Sequence, residues 1–390
     1  MKTVYIDCTG SVPIKGQPFH GGANYTHSLL FELQKREFPG LEFVLLLPFE
    51  YTPIDTVEES VYTGGYYKII HVNSLSDDLK LNENSTLFMP LLYRQEDIRA
   101  LKNIKQTNPT VKLVATIHDM RHLFNRYGYI SRFYYTGLIH YIYFLQKPVW
   151  WFNNKFILTP AFKNGFRFVD TIFTDSNYSL QKIMEHGFSG DIIPHYLTPK
   201  PRVSNDTTKD NNRYFLFVSG NRVVKNLLRT LTAFCMFKKT DDKDYYLYVT
   251  GIDKQMLSNL VRYKKINKEI VEKWVRISGY VTDEELDRLY RNCSALLFTS
   301  LAEGFGLPIL EAARHGRPSI SSYTTSIPEV LGSCTYYVDP YDVKSMLRGM
   351  EHMTQEHILK QYEAWLSEYY PVIEQRIKID LDVLFHHITI

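Results

Sequence analysis

The sequence predicts an α/β protein of two doubly wound, Rossmann-like domains facing each other across a cleft. Three observations carry that expectation. Short apolar runs alternate with helix-length segments along the chain, a polar stretch with two prolines divides it near the middle, and 390 residues exceed what one core usually encloses.

The runs come first. Val4–Ile6, Phe43–Leu47, Thr86–Met89, Lys112–Thr116 and Thr171–Thr174 read as strands of the first half. Phe215–Val218, Tyr246–Thr250, Val275–Ser278, Ala295–Phe298 and Pro318–Ser321 read as strands of the second. Strands that alternate with helices form parallel sheets covered on both faces, and such sheets hold ligands beyond the carboxyl ends of their strands.

The polar stretch runs from Thr198 to Arg213 and is almost free of apolar residues, so it reads as a linker. It sets the expected boundaries: residues 1–197 as an acceptor-binding domain, 198–213 as hinge, and 214–370 as a donor-binding domain. Residues 371–390 carry apolar side chains at Val372, Ile373, Ile377, Leu381, Leu384 and Ile388 and are expected to form a terminal helix that packs back on the first domain.

Composition narrows the class. With 44% hydrophobic and 22% charged residues the chain reads as globular, and a formal charge of +3 gives no reason to expect a nucleic-acid partner. Four scattered cysteines have neither disulfide-framework nor zinc-ligand spacing, which fits a reducing compartment. Without a signal-peptide pattern or a long apolar run, the expected location is the cytoplasm.

The most informative segment is Ser300-Leu-Ala-Glu-Gly-Phe-Gly-Leu-Pro-Ile-Leu-Glu311-Ala-Ala-Arg-His-Gly316. A strand end, a glycine turn and a helix with Pro308 in its first turn follow one another. The backbone N–H groups of Phe305, Gly306 and Leu307 and the positive end of the helix dipole suit a diphosphate. Glu303 before the turn and Glu311 one turn into the helix are placed to grip two parts of one ligand, since a carboxylate accepts paired hydrogen bonds from vicinal hydroxyls.

Glu303-Gly-Phe-Gly-Leu-Pro-Ile-Leu-Glu311 resembles the E-x7-E motif of the retaining glycosyltransferases of family four, which have the two-domain GT-B fold. The resemblance covers roughly Tyr214 to Asp342. It includes Phe217-Val-Ser-Gly-Asn-Arg222-Val-Val-Lys225-Asn226, Ile277-Ser-Gly-Tyr-Val-Thr-Asp-Glu-Glu-Leu-Asp-Arg-Leu-Tyr290 and Ile327-Pro-Glu-Val330. It implies a nucleotide-diphosphate-sugar donor, with Glu303 on the sugar hydroxyls, Glu311 on the ribose, and Lys225 and Arg222 on the diphosphate. Two positions depart from the family pattern: Ser219 stands where a glycine is usual, and Val224 where a basic residue precedes the Lys-Asn pair.

The first half resembles the family more loosely. His20-Gly21-Gly22-Ala-Asn-Tyr25 is similar to its N-terminal glycine loop, which approaches the reaction centre by bare backbone. Ile117-His118-Asp119 is similar to its His-Asp pair, which implies that His118 hydrogen-bonds the transferred sugar and that Asp119 orients the loop or His118. Phe173-Thr-Asp-Ser-Asn-Tyr-Ser179 also has a family counterpart, but helix capping explains it alone.

No carboxylate presents itself as a nucleophile, which favours front-face attack over a covalent intermediate while leaving both open. The third glycine of a dinucleotide fingerprint is absent, as is a P-loop, and neither Asp242-Lys-Asp244 nor Asp380-Leu-Asp382 sits at a strand end. The expected enzyme therefore needs neither metal nor cofactor. An enzyme acting on a soluble acceptor and a non-catalytic nucleotide-sugar-binding protein remain as alternatives.

Residues 120–169 contain no Asp or Glu, seven Lys or Arg, and 16 aromatic residues, among them Trp150 and Trp151. Cationic and aromatic side chains suit an anionic membrane surface. The segment is thus expected to lie peripherally on the inner face of a membrane and to present a lipid-linked saccharide acceptor, as in bacterial surface-polysaccharide assembly. A buried aromatic core is the competing expectation.

Overall fold

The computed structural model describes residues 2–11, 21–49, 65–75, 79–118, 159–188, 190–200, 213–241 and 243–390. These form two compact units, one of residues 2–118, 159–200 and 375–390, the other of residues 213–374.

The first unit is built on a seven-stranded parallel sheet. Its strands are β1 (Lys2–Asp7), β2 (Leu41–Pro48), β3 (Lys68–Val72), β4 (Thr86–Met89), β5 (Lys112–Ile117), β6 (Thr171–Thr174) and β7 (Asp191–Pro194), in the order β3-β2-β1-β4-β5-β6-β7. The order reverses between β1 and β4, the place where such sheets open a ligand crevice. Strands β4 and β6 are buried throughout, as expected of parallel strands covered on both faces.

The second unit repeats the plan with six parallel strands. These are β8 (Tyr214–Phe217), β9 (Tyr246–Val249), β10 (Val275–Ile277), β11 (Ala295–Phe298), β12 (Ser319–Ser322) and β13 (Tyr336–Val338), in the order β10-β9-β8-β11-β12-β13. Its reversal lies between β8 and β11, so the loops after those two strands are neighbours although about 80 residues separate them. Phe215, Phe217, Leu231, Phe234, Leu247 and Leu297 are among the side chains of its core.

Three strands escape the sequence pattern. The β3 strand lies at a sheet edge with four of its five residues exposed, β7 is an edge strand ending in Pro194, and β13 is three residues long. None carries the uninterrupted apolar run that marks a central strand.

The terminal helix also differs from expectation. It begins at Glu356 and continues to Thr389, with Pro371 inside it. Proline there removes an N–H and deprives the carbonyl four residues earlier of its partner. Pro371 and Ser367 are both exposed, so water can serve that carbonyl. From Gln375 onward the helix belongs to the first unit. Leu384 and Ile388 are fully buried, Asp380 accepts the Tyr196 backbone N–H at 2.8 Å, and Lys112 Nζ donates to the His387 carbonyl at 2.8 Å.

Of the basic aromatic segment, residues 120–158 lie outside the described residues. Within the remainder, Phe162 and Phe166 of the helix Thr159–Phe166 are buried in the first unit, so these two aromatics are core rather than surface. Among the described residues no helix is long and apolar enough to cross a membrane.

Candidate functional site

The candidate site of the second unit lies beyond the carboxyl ends of β8 and β11. After β8 the chain turns at Ser219, whose φ of 59° is the left-handed region that usually selects glycine. Serine thus takes a backbone shape here that glycine adopts more readily. Gly220 beside it has no room for a side chain, because a Cβ would come within 2.8 Å of Ile252 Cγ2 and Val249 Cγ1.

A short 3-10 turn, Val223–Lys225, follows and ends at Asn226, again left-handed with φ 70°. The Asn226 amide donates to the carbonyls of Thr299 at 3.1 Å and Pro340 at 2.7 Å, and the Leu301 N–H donates to the Val224 carbonyl at 2.8 Å. These bonds tie the β8 loop to the β11 loop. Asn226 is thus a positioning residue that the sequence placed beside Lys225 without giving it a task.

The consequence is a buried ion pair. Lys225 Nζ lies 2.7 Å from Glu303 Oε1 and 4.7 Å from the centre of the Phe298 ring, with both charged side chains under 10% exposed. Glu303 is held from its backbone as well: its N–H donates to Thr325 Oγ1 at 3.0 Å, and its carbonyl accepts from Ser326 Oγ at 2.9 Å. Ser326 also donates to the Phe305 carbonyl at 3.2 Å. The loop after β12 therefore braces the Glu303 turn from behind.

Gly306, with φ 114° and no side chain of its own to cap with, opens the helix Leu307–Arg314. The first N–H groups of this helix are therefore met by something other than an N-cap side chain. Glu311, half-buried on that helix, accepts a hydrogen bond from Tyr290 Oη at 2.8 Å. Burial, followed by the nearby Glu311 charge, raises the Tyr290 phenol well above its ordinary value, so it remains a donor. One carboxylate oxygen of Glu311 is engaged in this way, while Glu303 is turned toward Lys225: the two carboxylates have separate partners. Arg222 is exposed at the start of the 3-10 turn, where its carbonyl accepts the Lys225 N–H at 3.0 Å.

In the first unit His118 follows β5 and is half-buried. Its Nε2 lies 3.2 Å from the Pro90 carbonyl, its Nδ1 3.8 Å from Asp175 Oδ2, and its ring meets Tyr25 edge-on at 4.7 Å. Parallel pairing of β5 with β6 brings Ile117 beside Thr174, and so His118 beside Asp175. Asp175 is 2% exposed and is the carboxylate the structure places at His118; Asp119 lies outside the described residues. The capping expectation for the same segment holds too, as Ser176 accepts the Ser179 N–H at 3.1 Å. Tyr25 Oη bonds His195 Nε2 at 2.8 Å, and burial, helped by His118, pushes the His195 imidazole down to about 3. Gly21 and Gly22 form the start of the helix Gly21–Gln34.

Among the described residues no group of three His, Cys, Asp or Glu side chains is arranged to hold a metal ion.

Residues 200–367 match the family model described as glycosyl transferases group 1. The O-antigen chain mannosyltransferase B of Escherichia coli is 34% identical over 154 residues, which is 39% of this chain and 38% of that protein. The chain therefore aligns with about two fifths of that relative's length. The O-antigen chain mannosyltransferase RfbU of Salmonella typhimurium is 26% identical over 274 residues, 69% of each chain. Among solved structures, HepE of Anabaena in complex with UDP and glucose superposes with a TM-score of 0.68 at 12% identity, covering all of both chains. Trehalose-6-phosphate of E. coli bound with UDP-2-fluoro glucose gives 0.66 at 8% identity, covering 100% of this chain and 99% of that one. The two parallel-sheet units thus have GT-B architecture.

Proposed function

We propose, on the premise that residues 200–367 are a group 1 glycosyl transferase domain, that this chain is a retaining glycosyltransferase of surface-polysaccharide assembly. It moves a hexose from a nucleotide-diphosphate donor to a saccharide acceptor. The observation that carries the reading is the Lys225–Glu303 pair, set in the loops after β8 and β11 before the helix that starts at Gly306.

In this reading the pair separates its tasks when donor binds. Lys225 meets the diphosphate, Glu303 the hydroxyls of the transferred sugar, and Glu311, steadied by Tyr290, the ribose. The bond from the anomeric carbon to the diphosphate oxygen breaks with its electron pair leaving on the diphosphate, where a cation and N–H dipoles stabilise the growing charge. The acceptor hydroxyl oxygen bonds to the same carbon on the face the diphosphate leaves. Its proton passes to a phosphate oxygen, so configuration is retained without a protein nucleophile. Within the first unit, His118 is the residue assigned here to a sugar hydroxyl. Its Nε2 is engaged by Pro90, which leaves the Nδ1 side, next to Asp175, as the polar edge for a sugar hydroxyl.

The O-antigen chain mannosyltransferases among the relatives support a mannose donor and an O-antigen saccharide acceptor; a lipid link on that acceptor is part of the same proposal. Calorimetry with UDP-, GDP- and ADP-sugars, followed by a turnover assay, tests the reading. Binding with no transfer to any saccharide acceptor would leave a binding protein in its place. Sedimentation with anionic vesicles tests the membrane expectation for residues 120–169. Binding should fall as salt screens the surface charges.

A further inference from the structure

Two side-chain hydrogen bonds join the helix Asp283–Asn292 of the second unit to the helix Leu307–Arg314 and its last cap, His315. One runs from Tyr290 Oη to Glu311 Oε2 at 2.8 Å, the other from His315 Nε2 to Asp287 Oδ1 at 2.9 Å. A carboxylate only accepts, so Nε2 carries the proton of the second bond. Asp287 precedes Tyr290 by three residues and His315 follows Glu311 by four, so each helix presents its pair on one face, one turn apart. The order is reversed between the helices. The bonds are therefore successive rungs between antiparallel neighbours.

The Asp287 rung is buried and charged. Besides His315, Asp287 has Arg291 Nη2 at 3.4 Å and Arg314 Nη2 at 3.7 Å. Arg291 stands on its own helix, whereas Arg314 and His315 end the helix that carries Glu311, so one acid gathers the last turn of that helix. Arg317, past the left-handed turn at Gly316, donates from Nε to the Arg291 carbonyl at 2.8 Å and anchors the chain that follows rather than the helix itself. Burial of a carboxylate among cations returns little net stability, so the cluster is better explained by the geometry it fixes. A single hydrogen bond lets one helix turn or slide against the other until it breaks. A second bond, one turn away, holds shift and rotation together.

We propose that Asp287 and His315 are positioning residues for Glu311. Their bond holds the two helices in the register at which Tyr290 Oη reaches the Glu311 carboxylate, and so aims that carboxylate at the donor. Both act through Tyr290 rather than on the ligand. This role rests on the assignment of Glu311 to the donor ribose, and it makes nucleotide affinity depend on a residue that stands one turn past Glu311.

Two substitutions at His315 separate the bond from the bulk. Gln puts an amide N–H where Nε2 stands, whereas Asn puts it nearer the backbone, where Nδ1 stands. Calorimetry with GDP and UDP, and turnover with the matching nucleotide sugar, read the result. His315→Asn should weaken nucleoside-diphosphate affinity about fivefold with kcat within about twofold, and His315→Gln should stay within about twofold of wild type in both. In a Tyr290→Phe background His315→Asn should add less than about twofold, because the hydroxyl through which it acts is gone. Unchanged affinity in His315→Asn, an equal loss in His315→Gln, or a loss that multiplies with that of Tyr290→Phe would each overturn the proposal. Glu311→Gln keeps the two readings apart. If it leaves affinity unchanged, the ribose assignment falls and this role with it; if it weakens affinity while His315→Asn does not, the positioning role alone falls.

Discussion

Lys225 and Glu303 form a 2.7 Å ion pair across 78 residues of sequence, each almost sealed from solvent. Burying two charges costs free energy that their attraction only partly returns, so the pair is a poor explanation of stability. On the proposed reading it serves readiness instead, since both groups are already dehydrated before a charged ligand arrives.

Replacing Glu303 by Gln keeps its shape and removes its charge. Turnover should fall at least a hundredfold, about 2.7 kcal/mol of lost transition-state stabilisation, with the fold intact by circular dichroism. A folded variant with near-normal turnover would remove Glu303 from the reacting centre.

Lys225→Ala leaves the Glu303 carboxylate buried without its cation, which costs on the order of 3–5 kcal/mol of stability. Nucleotide-diphosphate affinity should fall much more than nucleoside affinity. Calorimetry with both ligands on the folded fraction checks this, and equal losses would contradict contact with the diphosphate.

Tyr290→Phe deletes the hydroxyl that holds Glu311. A hydrogen bond to a charged group is worth roughly 1.5–3 kcal/mol, so the donor KM should rise about tenfold or more while kcat stays within about twofold. A fall in kcat at constant donor KM would mean that Tyr290 acts elsewhere.

The buried His195 imidazole, pushed down to about 3, gives an acid-side prediction. An unfolded His titrates near 6.5, so between about 3 and about 6.5 the unfolded chain binds more protons and stability falls as pH falls. Asp97, raised by burial to about 6, works in the opposite sense, since its folded form takes up a proton first. Comparing wild type with His195→Gln isolates the histidine: the variant's denaturant midpoint should decline less between pH 6.5 and 4. Parallel declines would show that His195 is not buried neutral.

On the proposed reading, in which Lys225 and backbone dipoles meet the leaving diphosphate, transfer should survive EDTA. An absolute requirement for Mn²⁺ or Mg²⁺ in a steady-state assay would count against this charge arrangement.

The second unit was the more legible half. Its glycine turn, the carboxylates around it and the Lys-Asn pair are local, and local patterns survive in one dimension. What could not be read was which of them touch. Lys225 meets Glu303 only because β8 and β11 are sheet neighbours, and Tyr290 meets Glu311 only because two helices pack side by side. Asp175 was passed over for a similar reason. It stands in a helix-capping segment, and its approach to His118 depends on β5 pairing with β6. The edge strands β3, β7 and β13 were missed because a strand covered on fewer sides needs fewer apolar residues to form.

The terminal helix has a consequence for the order in which the chain is made. The first unit's sheet is encoded before residue 200, yet Leu384, Phe385 and Ile388, each at most 2% exposed, belong to the same unit. A ribosome delivers them only after the whole second unit has emerged. Until then the places that Leu384, Phe385 and Ile388 fill in the first unit lack them, so the packing of the unit made first is completed last.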